Sequence, residues 1–167
     1  MNEVERLVGL YRMQPHPEGG FFKETYRSAG EIPASALPDT YGGPRAYSTA
    51  ILYLLAGGRY SAFHRLKSDE MWHFYAGTGL ELYLLQEGQP LRTIRMGQDP
   101  AGGTVFQALA PAGSWFAACV PDPDGYALVG CTVAPGFDYA DFELARREDL
   151  IRRFPGEAEL ITRLTRT

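Results

Sequence analysis

Between residues 46 and 96 the chain offers five apolar, β-branched runs, at 46–55, 60–66, 71–76, 80–86 and 91–96, separated by at most four residues each. The separators carry turn chemistry: Gly57-Gly58, Gly77-Thr78-Gly79 and Glu87-Gly88-Gln89. Short strands at this spacing are the mark of an all-β sandwich or barrel. Three further runs, at 104–109, 114–120 and 126–134, extend the series until Pro135-Gly136 breaks it.

Helical signals are confined to the two ends. Asn2 followed by Glu5 reads as a capped N-terminus, with Val4, Leu7, Val8 and Tyr11 at helical spacing until Pro15 and Pro17. Gly19-Gly20 then releases a strand from Phe21 to Ser28. The stretch from Ala29 to Arg45, rich in Pro and Gly and without a period, is expected to be a long loop, serving as pocket lid or oligomer contact. At the far end Leu150, Ile151 and Phe154, then Leu160, Ile161 and Leu164, predict two short amphipathic helices, suited to covering an open sheet edge.

A chain of 167 residues with 45% hydrophobic and 22% charged content is expected to form one domain spanning 1–167. Its net charge of −4 argues against a nucleic-acid partner, which needs clustered Lys and Arg. No apolar run approaches the length of a membrane span, and the first residues lack a leader's apolar core, so a cytoplasmic protein is expected. Cys119 and Cys131 are read as lying on one hairpin turning at Asp122-Pro123-Asp124-Gly125, with Cys119 facing Ala127 and Cys131 facing Trp115. The thiols are therefore expected to be free.

The chemistry concentrates in residues 58–77. By two-residue alternation His64 and Leu66 share one strand face, as do Glu70, Trp72 and Phe74 on the next strand. Gly58, His64, Glu70 and Gly77 keep the spacing of the first cupin motif, and Pro111-Ala112-Gly113 resembles the turn of the second. The positions where that motif pair would supply two more histidines are Leu66 and Phe116. The whole chain from about Leu10 to Leu164 resembles the Cupin_5 (DUF985) family. The resemblance rests on Pro15-His16-Pro17-Glu18-Gly19-Gly20 with the strand after it, on Ser68 to Gly77, on Pro111 to Trp115, and on Gly130 to Asp138. It implies a cupin-type jelly roll with an inward pocket, usually dimeric, and no particular reaction.

A catalytic cupin metal is held by three histidines and a carboxylate, of which His64 and Glu70 alone survive, so no metal or other cofactor is expected. His73, three residues from Glu70, is expected on the outer face. We read His64 and Glu70 as a metal-free acid–base pair, the carboxylate orienting the imidazole and raising its pKa. Metal-free cupin epimerases combine a similar base with a tyrosine acid, for which Tyr26 and Tyr53 are the candidates. Trp72, Trp115 and Phe116 are candidates to stack on a ligand, with Glu24 at the pocket mouth and simple core packing as the competing role for Trp115. His16, Glu18, Gly19 and Gly20 are read as a tight turn without chemistry, and Asp138, Asp141 and Glu143 as caps. Three functions stay open: an isomerase or epimerase of a small polar or sugar-like metabolite, a ligand-binding module without turnover, and a metal-dependent oxygenase or isomerase. A homodimer is expected in each case.

Overall fold

The computed structural model describes residues 2–166. The N-terminal helix forms as its sequence dictates: α1 (Glu3–Tyr11) starts with a capping box in which the Glu5 amide donates to Asn2 Oδ1 at 2.8 Å and the Asn2 amide to Glu5 Oε2 at 3.0 Å. Its Leu7 packs with Met13 against Leu54 and Leu128, on the outside of a sheet.

That sheet comprises β1 (Gln14–Pro15), β2 (Phe21–Arg27), β5 (Thr49–Ala56), β7 (Asp69–Gly77), β10 (Gln107–Ala110) and β12 (Tyr126–Ala134), in the order β1-β2-β5-β12-β7-β10. A second sheet runs β13-β6-β11-β8-β9. Its strands are β6 (Tyr60–Arg65), β8 (Leu80–Leu85), β9 (Arg92–Met96), β11 (Trp115–Cys119) and β13 (Glu143–Leu144). Neighbours in both sheets are antiparallel. The two sheets face each other across a core that includes Tyr53, Leu55, Trp72, Phe74, Leu82, Phe116 and Val129, so the all-β expectation holds.

Because consecutive strands repeatedly change sheets, one sequence expectation fails. β11 pairs with β6 and β8, whereas β12 pairs with β5 and β7. The turn at residues 121–125 thus crosses between sheets, and Cys119 and Cys131 face neither Ala127 nor Trp115 as ladder partners: Cys119 lies opposite Glu81 and Tyr60, Cys131 opposite Ile51 and Trp72. Both thiols are free.

The C-terminal helices α2 (Arg147–Arg153) and α3 (Ala158–Arg163) cover a face instead of an edge. Their Leu150 and Ile161, with Leu164 beyond α3, pack on Phe63, Tyr83, Leu85, Trp115 and Ala117 of the second sheet. Trp115 accordingly belongs to this packing and lies outside the cavity between the sheets. Arg65 sits over its ring at 4.6 Å, but its indole N–H is sealed without a partner. Trp115→Phe is therefore expected to change stability by less than about 1 kcal/mol, since relief of an orphan donor offsets part of the lost packing. Chemical denaturation would check this, and ligand binding should not change.

The 29–45 stretch is not a free loop. A two-strand ribbon, β3 (Glu31–Ile32) with β4 (Arg45–Ala46), brackets it, and buried Tyr41 bonds the Ser68 hydroxyl at 2.8 Å. Arg45 makes a two-pronged ion pair with Asp141, each contact 2.7 Å, with both side chains buried. Of the acidic cluster read as caps, Asp138 caps a turn, accepting from the Ala140 amide at 2.8 Å, whereas Asp141 is taken by Arg45 and Glu143 pairs with Arg65 at 2.7 Å. No described helix is long and apolar enough to cross a membrane.

Candidate functional site

Alternation along β6 and β7 turns His64 and Glu70 into the space between the sheets, where a cavity of about 290 Å³ opens. What the sequence hid is the third contributor. The chain entering β2 folds as a turn in which the His16 amide donates to Gly20 O at 3.0 Å and the Gly19 amide to His16 O at 3.0 Å. Gly19 has φ +117°, and a Cβ there would stand 2.2 Å from Tyr60 O, so the turn lies hard against β6 and admits only glycine at that point. The Ala62 amide donates to Glu18 O at 2.8 Å and fixes the register.

This docking carries the Glu18 carboxylate onto His64: Glu18 Oε2 is 2.9 Å from His64 Nε2, and Glu18 Oε1 accepts from the Ser61 hydroxyl at 3.0 Å. His64 Nδ1 is 2.7 Å from Ala62 O, to which it donates. Both ring nitrogens thus face acceptors, the arrangement of an imidazolium. Burial lowers the His64 pKa, but the charge and hydrogen bond of Glu18, then Glu70, outweigh it and the net shift is upward. For Glu18, burial raises the pKa, and His64, His16 and Ser61 reverse this to a net lowering. The pair is a buried ion pair.

His16 is the neutral partner. Its Nδ1 accepts the Glu18 amide at 3.2 Å, so the 3.5 Å approach of Nδ1 to Glu18 Oε2 is not an ion pair; burial lowers its pKa despite Glu18. Its proton then resides on Nε2. Glu70 is different again. Trp72 Nε1 donates to its Oε2 at 2.7 Å, while Oε1 makes no hydrogen bond among the described residues. Burial, then the charge of Glu18, push Glu70 up to about 7, against the pull of His64 and Trp72. Among the described residues Trp115 Nε1 is the one sealed side-chain polar atom without a partner, so Glu70 Oε1 and His16 Nε2 both reach the cavity.

These positions revise the sequence reading of individual roles. Glu70 does not orient His64; Glu18 does, and the 16–20 turn, read from sequence as lacking chemistry, supplies both Glu18 and His16 to the lining. Tyr53 is buried beside the site, but its hydroxyl donates to Gly19 O at 2.7 Å and the residue does not line the cavity. Tyr26 is 54% exposed and also outside the lining, because the β2–β5 register shifts between Glu24 and Tyr26 and breaks the alternation that turns Glu24 inward. Glu24 lies in the lining, bound to Arg27. Trp72 and Phe116 are core residues that support the site from behind: Trp72 through Glu70, Phe116 with its ring 4.1 Å from that of His64. His73 lies outside the cavity, its Nε2 3.2 Å from Thr132 Oγ1.

The family described as Cupin_5, of the cupin superfamily (DUF985), matches residues 5–145. The chain belongs to this family. Proteins similar to this Cupin_5 chain include an uncharacterised protein of Saccharomyces cerevisiae, YML079W, 27% identical over 164 residues, covering 93% of this chain and 81% of that one. Among solved structures, protein SO0799 of Shewanella oneidensis superposes with a TM-score of 0.88 at 36% identity, covering 99% of both chains. A hypothetical protein from Leishmania major gives 0.89 at 30%, over 99% of this chain and 100% of that one. Oxalate decarboxylase from Bacillus subtilis shares the fold alone, with a TM-score of 0.53 at 15% identity over 90% of this chain and 36% of that one. The cupin jelly roll is thereby established for this chain.

The residues here do not fit the metal that cupin enzymes hold. Leu66 and Phe116 occupy two of the four ligand positions, and they present hydrocarbon. The remaining histidine, His64, has both nitrogens committed, to Ala62 O and Glu18. A metal at this point would have to displace the Glu18 contact and still find only two of the family's ligands.

Proposed function

We propose that this Cupin_5 protein is a metal-independent proton-transfer enzyme that isomerises or epimerises a small polar metabolite. The observation that carries the reading is the Glu70 Oε1 left without a hydrogen bond among the described residues in a buried cavity, with the neutral His16 Nε2–H lining the same space. In this reading Glu70 abstracts a proton from a carbon next to a carbonyl, and His16 donates a hydrogen bond to the oxygen on which negative charge develops. Glu70 then returns the proton to that carbon, and inversion results when the planar enolate turns its other face to the carboxyl before reprotonation. The role of His64 and Glu18 is to fix the turn that positions His16 and to set the field around Glu70. The pKa of about 7 for Glu70 suits such a task, because a base poised near the working pH is both available and strong.

The test is carbon-bound hydrogen exchange. Small hydroxy- and amino-carbonyl compounds incubated with the protein in D2O are expected to lose one C–H resonance in proton NMR. The exchange rate should rise as pH increases through about 7, as Glu70 loses its proton. Tight binding of a compound without any exchange would instead assign the cavity to a binding module, and exchange indifferent to pH between 6 and 8 would remove Glu70 from the role of base.

A further inference from the structure

The chemical character of the occupant can be read from the walls, and this inference rests on the cavity serving as a small-molecule site. Three rings of the segment after β12, Phe137, Tyr139 and Phe142, line it. Their centroids are 5.0 Å apart for Phe137 and Tyr139, 6.3 Å for Phe137 and Phe142, and 6.2 Å for Tyr139 and Phe142, with interplanar angles of 82°, 66° and 80°. The three rings are steeply inclined to one another within one wall, and the face of an aromatic ring is electron-rich. A fourth ring, Phe22, stands on the opposite strand against His16 at 4.7 Å.

Charge in the lining is just as one-sided. Four carboxyl groups line it, Glu18, Glu24, Glu70 and Asp138, against a single guanidinium, Arg27. Arg27 is already consumed: its Nε and Nη2 donate to the two oxygens of Glu24 at 3.0 and 2.8 Å, and its Nη1 donates to Phe137 O at 3.1 Å. His64 answers Glu18. His16 keeps a free N–H in the lining but is neutral, so no cationic side chain there is left to meet an anion, while among the described residues Glu70 Oε1 and the Asp138 carboxylate have no cation bonded to them. We propose that the cavity takes a small organic cation, an ammonium group held between the Phe137–Tyr139–Phe142 rings and the Glu70 carboxylate. Aromatic faces with an adjacent carboxylate are the general means of holding a desolvated ammonium group, each face contributing through its quadrupole.

Charge is isolated from shape by a matched series: choline, its neutral carbon isostere 3,3-dimethyl-1-butanol, and the anion trimethylacetate, each titrated calorimetrically into the intact protein. Choline is expected to bind at least about tenfold more tightly than the neutral isostere, and trimethylacetate to give no binding heat. Glu70→Gln and Phe142→Leu should each weaken choline by about tenfold or more. Thermal denaturation of the same samples identifies any loss that is merely unfolding, and Phe137→Leu then substitutes for Phe142→Leu. Equal affinity for choline and its isostere, preference for the anion, or no heat from all three would overturn the proposal. The outcome is separate from that of the exchange reading: choline binding can succeed where no C–H exchange is found, and exchange of an uncharged compound can occur where choline fails.

Discussion

Glu70→Gln is expected to lower carbon-hydrogen exchange by about 10²- to 10⁴-fold while making the folded protein more stable at pH 8. The two effects share one cause. In the folded chain the Glu70 carboxyl holds its proton up to about 7, whereas a solvated glutamate releases it near 4.5. Below 4.5 both states are protonated and the group is neutral in its effect. As pH rises from 4.5 to 7 the unfolded state loses the proton first, so stability falls, and above 7 the deficit is complete. Taken over that interval the deficit is about 3 kcal/mol as an upper bound. Glutamine cannot ionise, its carbonyl still accepts from Trp72 Nε1, and it keeps the side-chain shape. Urea denaturation at pH 5 and pH 8 checks the sign: the variant should gain at pH 8 and show little difference at pH 5. A variant that loses exchange and stability together would mean that Glu70 is structural. Groups that are held against their own stability are characteristic of sites shaped by function.

The second large effect concerns the clasp between Arg45 and Asp141. Asp141→Ala should destabilise the protein by about 3–5 kcal/mol, because it leaves a buried guanidinium whose other contacts are the backbone oxygens of Tyr41 and Pro44. It should also weaken any ligand of the cavity. Asp141 lies between Tyr139 and Phe142, so the same contact that pins the 29–45 segment holds two rings of the cavity wall. Removing both partners at once, Arg45→Met with Asp141→Leu, is expected to recover most of the stability, since a buried pair contributes little net when compared with well-packed hydrocarbon. Thermal and chemical denaturation of Arg45→Met, Asp141→Leu and the double variant form the measurement; additive losses would show that the clasp does not act as a unit.

The strands were legible because their signal is local. Alternation put His64 beside Leu66 and Glu70 beside Trp72, and the structure turns His64 and Glu70 into one cavity. The site's centre was not legible, because Glu18 meets Ser61 across 43 positions and nothing in the Pro-His-Pro-Glu-Gly-Gly stretch announces which strand it docks on. One clue was present: a glutamate and a histidine stand between prolines and a double glycine, where a plain turn needs neither. Tyr26 misled because a register shift in the ladder is invisible to a period-two count. The supposed hairpin of Cys119 and Cys131 failed for a related reason. A short turn can join two strands within one sheet or pass between two, and residues 121–125 do the latter.

Glu18 and His64 sit on the second sheet's side of the cavity, while Glu70 and Val133 come from the first. A molecule bound there would therefore work as a keystone: it would touch both halves of the sandwich, and its loss would weaken their cohesion as well as empty a site. At a hundred times its dissociation constant such a molecule would raise the unfolding free energy by about 2.7 kcal/mol. The cellular lifetime of the folded chain would then follow the concentration of its own ligand, with starvation for that molecule read out as turnover of the protein itself.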